Sequence, residues 1–380
     1  MRKWLLTLLV INAVAFVYYR YDEALDPRLA AWRSEVDEQS SGESDAFYLL
    51  WGLSVGATER FIEHGKREFE EYNGRLAFHF FSSVPESPPY DYKHYADPLD
   101  EYPLFCKLAS GSVDCIDRLL ANKATWESTV SQFESFRRGY EQFVTLTDYR
   151  NLSHPKKYQW EPFYPVLELG QRLKALDALT LWLEGKADKA LALLASDIRL
   201  LSQHLPEVQS KYYLNTLLRM VEADQVLINY IATQSASSFP AVAPIRLEDI
   251  PVERIMRREI VSYSYFLDTS AVLKLIAPEP GGGIAQQAAF GLRKSLGYRR
   301  KMTVNQFFVA AAPFADPAYL RQGSPDGAKS LTLERSIVSA VFNSLGSELL
   351  SELLNGRFGW KPVNDLAAVE RINGFIRELY

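Results

Sequence analysis

Residues 163–205 read FYPVLELGQRLKALDALTLWLEGKADKALALLASDIRLLSQHL, and their pattern decides the fold class. Val166, Leu169, Leu173, Leu176, Leu179 and Leu183 recur at three- and four-residue steps, the apolar stripe of a core-facing helix. Gly185 suits the left-handed residue that ends such a helix. Ala190, Leu191, Leu194, Ile198, Leu201 and Leu205 then repeat the pattern, which predicts a helical hairpin. Pro206 precedes a third long helix, expected to run to about Thr233. No stretch of the chain shows strict apolar–polar alternation, so no sheet is expected and the fold class is all-α.

Outward from this hairpin, helical signals continue in both directions. Asp26-Pro27 opens a segment through Trp32, with proline at a helix-starting position. Asp45 is expected to cap a helix through AFYLLWG, and an amphipathic piece covers 57–72. Residues 78–105 hold five prolines and a run of aromatics, which predicts an irregular loop. Helical pattern resumes over 113–146 with a break near Asn122. The stretch SASSFPAVAP (235–244) is the best boundary. Beyond it, helices are expected at 251–266, 284–298, 333–354 and 365–378, with Gly281-Gly282-Gly283 as a flexible link. The expected organisation is an anchor at 1–21, a helical domain at 22–235 and a C-terminal helical region at 250–380.

The anchor rests on Arg2 and Lys3 preceding the uncharged run Trp4 to Tyr19. Such a run, with flanks that can snorkel, is short but long enough to span a bilayer when helical. Cations before it and mostly acidic residues after it (Asp22, Glu23, Asp26) predict a cytoplasmic N-terminus and a periplasmic body at the inner membrane of a Gram-negative bacterium. Ala13-Val14-Ala15 has the small-x-small form of a cleavage site. Cutting there would leave an unusually short leader and an apolar remnant, so the anchor is favoured over a cleaved signal. In an oxidising compartment, Cys106 and Cys115 are expected to pair across a Ser-Gly-Ser loop; two buried free thiols are the alternative. Loop closure of this size contributes about 2–3 kcal/mol in the chain-entropy picture.

Two resemblances accompany these readings. Gly185 followed by Ala190, Leu191 and Leu194 resembles the second half of a tetratricopeptide repeat, over about thirty residues and in one copy. Taken whole, the chain resembles an uncharacterised group of proteobacterial membrane-anchored proteins. That resemblance lies in the N-terminal run, in DAFYLLWGL (45–53), in the Cys106/Cys115 segment, in MTVN (302–305) and in NSLGSELL (343–350). It implies topology and no activity.

Composition excludes several classes. The chain of 380 residues is 47% hydrophobic and 13% aromatic, which argues against disorder. Its formal net charge of −5 gives no footprint for nucleic acid. None of the five histidines falls in an HExxH or paired metal-ligand spacing, and no metal or cofactor is expected. His64, Glu68 and Glu71 share a helical face, where Lys66 and Arg67 favour ion pairs over a metal site. Ser153-His154-Pro155-Lys156 matches SxxK in form only, since proline interrupts it and no partner motif follows. Glu168 and Arg172 are expected to form an ion pair on the long helix. Arg293, Lys294, Arg299, Arg300 and Lys301 form a basic cluster suited to anionic headgroups or an acidic partner; a solvated helix end is the alternative.

With no catalytic residue assigned, the expected function is a membrane-tethered periplasmic interaction or scaffold protein of the envelope, with a helical-hairpin or solenoid-like body. The alternative is an enzyme or carrier acting on an envelope lipid or a peptidoglycan fragment, with the aromatic loop at 78–105 lining a cleft.

Overall fold

The structure, a computed structural model, describes residues 24–79, 113–155, 159–238, 242–268 and 300–315. The described residues are all-α: helices, short 3₁₀ turns and irregular connections, with no strand among them. None of the described helices is long and apolar enough to cross a membrane. The expected anchor at 1–21 and most of the aromatic loop lie outside the described residues, as do the expected helices at 284–298, 333–354 and 365–378.

The chain divides into two compact units, one built from 39–251 and one from 1–38 with 252–362, in their described parts. The larger unit begins with α2 (Asp45–Ser54) and α3 (Phe61–His79), following α1 (Pro27–Gln39) in the chain. Ser44, not Asp45, is the N-cap of α2: its Oγ accepts from Phe47 N at 3.1 Å. Asp45 is the first helical residue, and its N–H is taken instead by Asp148 at 2.6 Å. Every residue of α2 from Ala46 to Ser54 is buried, as expected of a helix apolar all round. The helix packs directly on α3 because Gly52 and Gly65 face each other. A Cβ at Gly65 would overlap the Tyr48 carbonyl oxygen, and one at Gly52 the Phe61 carbonyl. The approach assembles Phe47, Trp51, Phe69 and Tyr72 into one aromatic cluster, with ring centroids 4.9–6.1 Å apart.

The stretch expected as 113–146 is three helices: α4 (Val113–Ala121), α5 (Trp126–Gln132) and α6 (Glu134–Phe143). It breaks at Asn122, where a 3₁₀ turn follows, and again at Phe133. The hairpin is α7 (Pro165–Leu183) and α8 (Ala187–His204), joined through Gly185 at φ +77°. Of the second set of apolar positions, five are buried on α8 and Leu205 is buried in the 3₁₀ turn that follows it; five of the six on α7 are buried, and Leu183 is 39% exposed. The third long helix, α9 (Lys211–Ser235), starts later than Pro206, which lies in a 3₁₀ turn. Ser210 caps α9 by accepting from Tyr212 N at 3.2 Å.

The smaller unit joins α1 to α10 (Val252–Leu267) and α11 (Arg300–Ala311). Arg33 donates to Ser264 Oγ at 3.0 Å and to Asp268 at 3.0 Å, and its guanidinium lies 4.3 Å over the Tyr265 ring. Trp32 meets Phe308 edge-on at 5.1 Å. Asn305 clamps the start of α1, accepting from Asp26 N and donating to Ala24 O at 2.8 Å each. Sequence reading did not place a helix at 300–311, although Val304, Phe307, Phe308 and Ala311 carry helical spacing and are all buried.

Candidate functional site

A group of buried polar side chains lies inside the larger unit, where α6, α7, α8 and α9 converge. Gly170 sets the α6–α7 approach: a Cβ there would overlap Tyr140 Cβ and the Phe136 carbonyl. Tyr140 is thereby placed to donate from Oη to Asp197 Oδ2 at 2.7 Å. Lys174, one turn along α7, donates from Nζ to Asp197 Oδ1. Gln171 Nε2 donates to Asp224 Oδ1 from the same helix. Tyr140, Gln171, Asp197 and Asp224 are at most 1% exposed, and the Lys174 side chain is 13% exposed.

Burial and charge act on this group together. Desolvation, then the charge of Asp197, pushes the Asp224 carboxyl well above the usual carboxylate range. Burial, reinforced by Asp197, likewise raises Tyr140, so its phenol stays a donor. The chemistry within reach is proton retention and ion pairing.

A second polar layer sits beside it. The irregular stretch between α6 and α7 runs buried at Tyr149, Asn151, Leu152 and Ser153. A buried loop needs partners for its polar groups, and side chains supply them here. Asn151 N donates to Gln209 Oε1 at 3.2 Å, and Asn151 Nδ2 to Glu161 Oε1 at 2.8 Å. Tyr213 on α9 anchors the layer. Its ring packs 4.3 Å from Tyr149 and 5.2 Å from Tyr164, and its hydroxyl lies 3.1 Å from His204 Nδ1. His204 stacks on Phe143, and desolvation lowers it from 6.5 to about 4.

A cleft of about 440 Å³ opens on the same unit beside the end of α8. Ile198, Leu205, Val242 and Ile245 form apolar walls, with Arg199 and Arg246 among the lining residues. Arg246 is held by Glu248 and Asp249.

The residues singled out from sequence fall elsewhere. Cys115 is buried on α4, and Cys106 lies outside the described residues. Of the basic cluster, Arg293, Lys294 and Arg299 lie outside the described residues; Arg300 and Lys301 open α11, with Lys301 exposed. His64 sits 3.8 Å from Glu68 among ion pairs on α3, with Arg67 bonded to both. Among the described residues no group of His, Cys, Asp and Glu could hold a metal ion. Ser153 Oγ donates to the Trp160 carbonyl at 2.7 Å, and Lys156 lies outside the described residues.

The expected Glu168–Arg172 pair does not form as a hydrogen-bonded bridge. Glu168 instead takes Arg219 of α9, whose Nε lies 3.0 Å away, and Arg172 Nη1 is buried without a hydrogen-bond partner. An inter-helix guanidinium has outcompeted the neighbour one turn along the same helix. The Asp197/Asp224 group was missed because its members are scattered over four helices. The sequence signal available was an acid at a core-facing position: Asp197 precedes Ile198, and Asp224 sits among Val221, Ala223, Val226 and Leu227. Compared with known proteins, no family model, no curated protein and no solved structure matches the chain.

Proposed function

We propose that this protein is a membrane-tethered helical interaction or scaffold module of the cell envelope. The observation that carries the reading is the inward turn of its polar chemistry. Tyr140, Gln171, Lys174, Asp197 and Asp224 bind one another across four helices. Buried polar contacts of that kind specify helix register, which suits a rigid platform with its outer faces left for recognition. The tether is read from Arg2, Lys3 and the uncharged run Trp4–Tyr19. A Cys106–Cys115 bridge belongs to the same reading, supported by the burial of Cys115 and by its lack of a free thiol. The basic cluster Arg293–Lys301 is the segment proposed to meet anionic headgroups or an acidic partner.

A second reading, a carrier or enzyme for an envelope lipid or peptidoglycan fragment, is favoured by the apolar cleft beside α8, whose volume falls in the range of small-molecule sites. Cross-linking in living cells, followed by purification from membranes through a C-terminal tag, separates the two. A single envelope protein recovered in near-equal amount supports the scaffold. A lipid or glycan without a protein partner overturns it in favour of the carrier. Recovery in the soluble fraction after lysis would sink the tether.

A further inference from the structure

The two buried aspartates are unequally served. Asp197 accepts from Lys174 and from Tyr140, one donor on each oxygen. Asp224 accepts from Gln171 at Oδ1, whereas its Oδ2 is buried and meets no donor. Its acidic neighbour is Asp197, itself an acceptor. Two ionised carboxylates adjoining in a water-excluded core repel strongly, and an ionised oxygen without a donor there is costly. A proton on Asp224 Oδ2 resolves both difficulties. It removes one negative charge and turns the unserved buried carboxyl oxygen into a donor, which an acidic neighbour such as Asp197 can accept.

We propose that the native protein holds one proton between Asp197 and Asp224, carried on Asp224, and that the packing of α7, α8 and α9 depends on it. The ionisable groups around the site are Tyr140 from α6, Glu168, Arg172 and Lys174 from α7, Asp197 from α8, and Tyr213 and Arg219 from α9. Lys174 is committed to Asp197, and Arg219 to Glu168. Arg172 is the competing source of positive charge, but its Nη1 makes no hydrogen bond to Asp224. The site is therefore a buried proton-binding site, and withdrawing the proton leaves a second carboxylate charge in the core. Burial and Asp197 act on Asp224 in the same direction, toward retention of the proton.

The sign of the pH effect follows. The folded state keeps a proton that the unfolded chain releases near the ordinary value of 3.8, so this contribution is complete below that value. It is lost as pH rises through the folded titration. Urea unfolding of the full chain in detergent, compared with Asp224→Asn across pH, reads it directly. The unfolding constant of the wild type relative to the variant is expected to rise about tenfold per pH unit within that window. Infrared spectra of wild-type protein carrying ¹³C-carboxyl aspartate provide a measurement that does not need the variant to fold. A protonated-carboxyl band at neutral pH is expected, lost as pH rises through the folded titration. Absence of that band at neutral pH, as when Arg172 rather than a proton satisfies Asp224, overturns the proposal. So does a stability ratio that is flat with pH.

Discussion

Burial lowers His204 from 6.5 to about 4, so the folded protein keeps it neutral while the unfolded chain protonates it in mildly acidic solution. Its contribution to stability is complete above about 6.5 and is lost as pH falls toward 4, about 3 kcal/mol in all. His204→Phe should remove this acid-side loss, seen as a flatter stability profile between those pH values. It should also sacrifice the contact with the Tyr213 hydroxyl at 3.1 Å, so absolute stability should drop at neutral pH. Asp224 works in the opposite sense over the range where both apply, so the two slopes offset each other in the wild type and separate in single variants. Lys174 tests the ion pair itself. Lys174→Met removes the cation that balances Asp197 and leaves its charge in the core with the Tyr140 hydroxyl and the proton held with Asp224, and the expected loss is about 3–5 kcal/mol by urea denaturation. A loss under 1 kcal/mol would mean that Asp197 is neutral or hydrated in the folded state.

At the level of helices and turns, the legible features were those with local causes. The α7–α8 hairpin was readable because its apolar period and its terminating glycine lie within one short window. Gly185 adopts φ +77°, and a Cβ there would meet nothing, so Gly185→Ala tests backbone conformation alone. A loss of about 1 kcal/mol is expected. The end of α9 offers the converse experiment. Ala236 occupies the same left-handed region at φ +47°, where glycine is unstrained. Ala236→Gly should therefore stabilise the protein by up to about 1 kcal/mol in thermal or urea melts, and a destabilised variant would contradict the strain assigned to that cap. Contacts with distant causes were not legible. Nothing local marks Gly52 and Gly65 as facing each other, Arg219 as the partner of Glu168, or Asp197 and Asp224 as neighbours. In each case the deciding group lies on another helix. The cap of α2 was misplaced by one residue because Ser44 and Asp45 are both good cap residues; Asp148, a hundred residues on, takes the Asp45 N–H and leaves Ser44 the cap.

At the scale of the whole chain, the smaller unit joins sequence-distant segments. Its first helix, α1, precedes all of the larger unit in sequence, whereas α10 and α11 follow it. The side chains that join them are specific: Arg33 reaches Ser264 and Asp268, Arg257 reaches Glu35 and lies over Trp32, and Tyr265 donates to Asp37 at 3.0 Å. Contacts of such sequence separation carry a loop-closure cost that local helices avoid, so they are expected to form late in folding and to open early. Trp32→Ala removes the half-buried ring that meets Phe308 and the Arg257 guanidinium, at a cost of about 1–3 kcal/mol. Native-state hydrogen exchange should report that loss unevenly. Amides of α10 and α11 should exchange faster in the variant, although they lie more than 200 residues from the substitution, while those of α7, α8 and α9 keep their protection. Equal acceleration across both sets would instead make the chain one cooperative unit, with α1 contributing to all of it.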